Sequence, residues 1–262
     1  MSKTTRTIWA SAIALAVVAC AVAVKVIFFP SVSDKYFQMN PSRLRQVPPG
    51  LVVVRPTHFP DSAKRSSPAG IMRTSVKGAT WMVGRNISFQ ELIATAYRFS
   101  PGRIALPAEA PKGNFDFLIT VPQDPETHLQ SAIRRKTGYI AQRETRDTDV
   151  LVLTVENPNA PGLKVSTTTR GDITPKNNRL YFTHMRLNVV TDGLEQMLKL
   201  PVVDKTGLTN YYDFSLAWDR QTQRQIQGGT LDKETGRKIL AEWGLGLEPD
   251  TASVEMLVVK KP

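Results

Sequence analysis

NFDFLITVP (Asn114–Pro122), followed by LQSAIRRKTGYIAQRETRDTDVLVLTV (Leu129–Val155), returns later in the chain as YYDFSLAWD (Tyr211–Asp219) and GRKILAEWGLGLEPDTASVEMLVVKK (Gly236–Lys261). Asp116-Phe117 matches Asp213-Phe214. Gly138 matches Gly244, and Leu151-Val152 matches Leu257-Val258, both at the same offset of 106. The second copy carries nine extra residues before its second helix, within the ten-residue stretch RQTQRQIQGG (Arg220–Gly229). Upstream, Phe89, Leu92, Ile93, Ala96 and Tyr97 follow the spacing of an amphipathic helix, and Val190, Leu194, Met197 and Leu198 keep the same stripe. Each helix leads to a short apolar strand, Arg103–Leu106 and then Pro201–Asp204. Gly138 and Gly244 stand where a second helix should stop, because glycine enters the left-handed region without strain. Val150–Val155 and Glu255–Val259 read as closing strands.

Each copy therefore reads strand, helix, strand, strand, helix, strand, strand, and the chain predicts an α+β fold. We expect two tandem related small modules, each with two helices packed on a short mixed sheet. The boundaries follow: a signal anchor or signal peptide over 1–30, a tether with one strand near Gly50–Arg55 over 31–75, and a first module over 76–156. A Pro-, Asn- and Thr-rich linker over 157–179 and a second module over 180–262 complete the chain.

The amino terminus sets the compartment. Lys3 and Arg6 precede the apolar run Ile8–Val24, which resumes after Lys25 as Val26–Phe29. As a helix, residues 8–29 are about 33 Å long, enough to cross a bilayer with the bulk of the chain outside the cytoplasm. Two alternatives remain open: cleavage near Ala21-Val22-Ala23, and lipidation of Cys20 in Val17-Val18-Ala19-Cys20. All three place residues 31–262 in the periplasm or outside the cell, inner-membrane anchored or exported.

Composition narrows the chemistry. The chain has 262 residues and a net charge of +11, a moderately basic balance. One cysteine excludes an internal disulfide and a CxxC metal or redox site. The three histidines (His58, His128, His184) are scattered, and no HExxH, GxSxG, SxxK, Walker A or GxGxxG pattern occurs. We expect no catalytic residues, no cofactor and no metal. Asp204-Lys205-Thr206-Gly207 is similar to the phosphorylated-aspartate motif of cation pumps, but the chain lacks the other domains such pumps need. It reads as a turn with Gly207 at positive φ.

Pro201–Leu216 (PVVDKTGLTNYYDFSL), Arg143-Glu144-Thr145-Arg146, Leu245–Pro249 and Ser88–Tyr97 (SFQELIATAY) together resemble a family of exported "soil-associated" proteins of unknown function. The resemblance covers about residues 50–262 and implies no activity. The order of elements in each copy is also similar to the short N-terminal domain of secretins and TonB-dependent receptors. That likeness implies a periplasmic docking module.

The expected function is thus non-enzymatic binding by a membrane-tethered extracytoplasmic protein. An envelope-polymer hydrolase and a passive structural envelope protein are the alternatives. The expected partner is an envelope protein or an anionic envelope polymer, met with the help of the basic balance; export argues against nucleic acid. The candidate interaction surface is the turn Asp204, Lys205, Thr206 and Asn210, together with Arg143 and Arg146 on an Arg143–Asp149 turn. Exposed strand edges ending each module would accept an extended partner segment.

Overall fold

The computed structural model describes residues 32–59, 70–217, 220–227 and 231–262. The expected anchor over 8–29, Cys20 and the cleavage site lie outside them. The protein is a mixed α+β structure whose strands form three four-stranded sheets.

Sheet one joins β1 (Val52–Pro56), β2 (Gly70–Val76), β3 (Ala79–Ile87) and β5 (Phe115–Ile119) in the order β1-β5-β3-β2, all antiparallel. On one face lie α2 (Phe89–Tyr97) and α3 (Pro125–Thr137); the one-turn α1 (Pro41–Leu44) belongs to the other face. Ser88 starts α2 with a reciprocal capping box: its hydroxyl accepts from the Glu91 N–H while the Glu91 carboxylate accepts from the Ser88 N–H. The predicted stripe Phe89, Leu92, Ile93 and Ala96 is buried against Leu129 and Ile133 of α3. Gly138 ends α3 at φ 77°. The opposite face of the sheet, Trp81, Val83 and Leu118, is covered by Phe37, Leu44 and Val47. Much of the segment read as a tether is therefore part of the core.

Sheet three has the same plan in the second half. It joins β7 (Leu163–Val165), β8 (Asp172–Lys176), β9 (Arg179–Arg186) and β11 (Tyr211–Ala217) in the order β7-β11-β9-β8. Strand for strand this repeats sheet one. The stretch 157–179, expected to link, supplies two of these strands. Its polar composition fits their exposure: all five residues of β8 face solvent. On the inner face lie α4 (Asn188–Leu198) and α6 (Lys233–Glu242), with the extra helix α5 (Arg220–Gln227) between β11 and α6.

Sheet two is built from both halves. The closing strands β6 (Ile140–Val155) and β12 (Leu245–Lys260) pair antiparallel over their full sixteen residues. Short β4 (Ile104–Ala105) lies parallel on β12, and short β10 (Val202–Asp204) lies parallel on β6. Each half thus lays its short strand on the closing strand of the other. The pairing is symmetric: Asp147 faces Ser253, its own counterpart at the offset of 106. The closing strands are therefore not edges open to a partner, since each is hydrogen-bonded to the other. Pro249 is tolerated in a central strand because β4 covers β12 only at Leu257 and Val258.

The repeated Asp-Phe pair has a local cause. In each half the strand opposite carries one extra residue, Asn86 or His184, at positive φ (49° and 53°). Such a bulge leaves a backbone N–H outside the ladder. The Asp116 carboxylate accepts it from Asn86 at 3.0 Å, and Asp213 accepts it from His184 at 2.8 Å. The following phenylalanine points into the core. A further contact joins the halves: Arg103 donates from Nε to Glu195 Oε1 at 2.6 Å, and that same oxygen accepts the Val202 N–H at 2.8 Å. Glu195 is buried, so its charge is balanced across the junction.

Candidate functional site

The two parts of the expected interaction surface stand far apart. Asp204 closes β10 opposite Leu153, ten positions along β6 from Arg143, which is about 33 Å of strand. Asp204 is exposed, but its Oδ1 accepts from the Thr206 N–H (2.8 Å) and hydroxyl (2.6 Å). The Thr206 hydroxyl in turn accepts the Leu208 N–H, and Gly207 takes φ 68°. The motif therefore builds the turn read from the sequence. Lys205 reaches Asp250 at 3.5 Å, and Asn210 is exposed before β11.

Arg143 and Arg146 do not lie on a turn. Residues 143–149 continue β6 as its polar, exposed middle, kept in strand form by pairing with 251–257 of β12. Arg143 donates to Glu255 at 3.0 Å, and Arg146 donates to Glu144. The Glu144 carboxyl is held below its ordinary range by hydrogen bonds from Arg146 and Lys260.

A more distinctive feature is a cleft in the second half, about 240 Å³, between α4, α6 and the inner face of β9 and β11. Its walls are Val190, Leu194 and Met197 on α4, Ile239 and Leu240 on α6, and the stacked rings of Phe182 and Phe214, 4.8 Å apart. Trp243 closes one side, its indole N–H donated to the Ser215 carbonyl at 3.0 Å and so unavailable to a ligand. Among the described residues, every one lining the cleft is apolar or glycine.

The first half shows why the cleft exists. There α2 and α3 pack on each other, and Gln130 donates its side-chain amide to the Ala96 carbonyl at 2.8 Å, strapping the helices together. The strand registers relate Asn86 to His184 and Ile104 to Val202 at an offset of 98, which carries Phe89 to Leu187, Leu92 to Val190 and Thr95 to Gly193. The offset of 106 carries Leu129 to Thr235 and Gln130 to Gly236. At each of these five positions the second half is smaller and the strap is gone, while Ala96 is matched by the larger Leu194. Gly193 and Gly236 line the cleft, and a methyl group at either would meet nothing closer than 3.5 Å.

Charged groups stand near the cleft without lining it. Asp192 is exposed as a residue, but partial desolvation of its carboxyl raises it, and the neighbouring Glu195 charge adds to this, while Arg103 opposes it. His184 stacks on Tyr211 with ring centroids 4.0 Å apart. Among the described residues, no group of three or more His, Cys, Asp or Glu is placed to hold a metal ion, and no helix is long and apolar enough to cross a membrane.

A family model described as a protein of unknown function, DUF3738, matches residues 90–261. The chain belongs to the DUF3738 family. The DUF3738 match begins inside α2 and leaves β1, β2 and β3 outside, although β5 has no sheet neighbours without β1 and β3. The folded body is therefore larger than the DUF3738 match. No curated protein and no solved structure matches the chain.

The cleft escaped a reading of helix stripes, because its apolar residues fill the same pattern as a closed core. The available signal was comparative: glycine at 193 and 236, both within helices, where the first half has Thr95 and Gln130.

Proposed function

We propose that the protein is an extracytoplasmic, membrane-tethered binding protein that holds its ligand in the cleft without covalent chemistry. On this reading it consists of two related α+β units, the first closed and structural, the second opened for binding. The carrying observation is the contrast between the units: one sheet order, yet helices strapped by Gln130 in one and parted around Gly193 and Gly236 in the other. A sealed core would be the lower-energy outcome, since voids forfeit packing contacts. Small-molecule pockets are concave and mostly apolar, as this cleft is, though they usually add a few polar groups that its described lining residues do not supply. Among the described residues its walls are apolar, which supports binding of an apolar group. The basic balance supports an anionic envelope surface as the setting.

The test is to isolate the full-length chain from its own membranes and compare the bound small molecules of wild type and Gly236→Leu by mass spectrometry. A compound retained by wild type and lost from the variant is expected. Equal contents in both would refute the cleft as the binding site.

A further inference from the structure

We infer that the cleft takes a single unbranched hydrocarbon chain, from a free fatty acid or from the acyl tail of a membrane lipid; this rests on the binding reading above. Three features carry it. The first is shape. The lining residues on α4 run from Val189 to Met197, about 12 Å of helix. The cleft is small, about 240 Å³, and follows α4 for about two turns, which suits one slender chain better than a bulky ring system.

The second feature is chemistry. A polar ligand would leave its donors and acceptors unpaired against these walls, because the described lining residues are apolar or glycine and the Trp243 N–H is spent on Ser215. Only the apolar part of a ligand gains by entering, and a polar head must stay outside. Val189, 39% exposed, marks a rim where the lining reaches solvent.

The third feature is the nature of the walls. Met197 and the aliphatic side chains of α4 and α6 face the Phe182–Phe214 pair. Thioether and aliphatic side chains adapt to a flexible chain that has no fixed outline.

The test uses the full-length protein in its native membranes. One probe is octanoic acid with a photoreactive diazirine at its terminal carbon. A second carries the same group on the acyl chain of a phosphatidylethanolamine, and a third is a photoreactive naphthalene. Labelled peptides are mapped by mass spectrometry in wild type, Gly193→Leu and Gly236→Leu. At either position the added Cβ meets side chains at ordinary contact distance, and a folded variant is verified by the unchanged position of its unfolding transition or a higher one.

The expected result is labelling within residues 188–198 and 231–243 by an alkyl probe, reduced at least tenfold in both variants. Labelling by the free acid but not the phospholipid assigns the chain to a fatty acid; the reverse assigns it to a lipid tail. Competition by unlabelled acids should strengthen about fourfold per methylene from butanoic to octanoic acid and then level off. Variant-sensitive labelling by the naphthalene probe alone would overturn the hydrocarbon-chain inference and leave the binding reading standing. No variant-sensitive labelling by any probe would overturn both.

Discussion

Replacing Asp116 by alanine should cost far more stability than replacing Asp213, although the two stand at equivalent positions and cap equivalent bulges. Asp116 is fully buried and accepts three hydrogen bonds: from the Thr57 hydroxyl at 2.8 Å, the His58 N–H at 2.9 Å and the Asn86 N–H at 3.0 Å. The Arg55 Nε lies 3.5 Å away. Asp213 is half-buried, and its contact with the bulge is the His184 N–H at 2.8 Å. A hydrogen bond to a charged group contributes about 1.5–3 kcal/mol, and a buried donor left unpaired costs about 1–3 kcal/mol. One such loss puts Asp213→Ala at about 2 kcal/mol. Three coupled losses are not additive, and Arg55 keeps Asp34 as a partner, so Asp116→Ala should lose about 4–5 kcal/mol. That is a large share of the roughly 5–15 kcal/mol of a folded domain. Urea unfolding in backgrounds that retain only Trp81 or only Trp243, both buried, would follow the two halves separately. Asp116→Ala should shift the Trp81 transition first, because it frees the segment 55–58 from sheet one. Equal losses for the two variants, or a loss below about 1 kcal/mol for Asp116→Ala, would refute the reasoning.

Gly193→Ala and Gly236→Ala should each stabilise the protein by up to about 1 kcal/mol in thermal unfolding, since both add helix propensity into open space. Gly84→Ala should instead destabilise it by about 1–3 kcal/mol, because the added methyl overlaps the ring of Phe117 across the strand pair. The raised Asp192 carboxyl binds its proton more tightly folded than unfolded, so its contribution is most favourable at low pH and is lost as pH rises through the carboxylate range. Asp192→Asn should therefore raise the melting temperature at pH 7 and lose that advantage in acid. The Asp34 carboxyl behaves oppositely. Burial raises it, but hydrogen bonds and charge from His58 and Arg55 outweigh this and hold it low. Its support is present above the ordinary carboxylate pKa and fades as pH falls, which Asp34→Asn should abolish.

Much of the plan was legible because local chemistry repeats. The stripes Phe89–Tyr97 and Val190–Leu198, the helix stop at Gly138 and the Asp204–Gly207 turn each depend on neighbours in sequence. Partner choice was not legible. A strand such as Val150–Val155 shows that it is buried, but its residues do not name the strand beside it, and here that strand belongs to the other half. The run from Gln142 to Asp149 resembles a loop because its side chains are polar, whereas the backbone is fixed by the sixteen-residue ladder with β12. The segment around Phe37–Val47 reads as a tether for a related reason. Phe37, Leu44 and Val47 are isolated apolar residues among Pro, Ser and Arg, and only the apolar outer face of sheet one gives them something to cover.

The exchange of short strands bears on how the cleft can stay open. An opened core normally invites collapse, because nothing but its own walls holds it apart. Here α4 is fixed at its far end by β10, which is bonded to β6 of the other half, and by Glu195, which pairs with Arg103 across the junction. The helix α6 runs directly into β12, the partner of β6 over its whole length. Both helices that bound the cleft are thus anchored to sheet two. The first half is anchored in the same way, since α2 leads to β4, α3 runs into β6, and β12 lies between those two strands, yet its helices pack on each other. Anchoring to sheet two therefore fixes where each helix starts and ends but does not by itself part them. The side chains between the helices decide whether the space fills: Thr95 and Gln130 in the first half, Gly193 and Gly236 in the second.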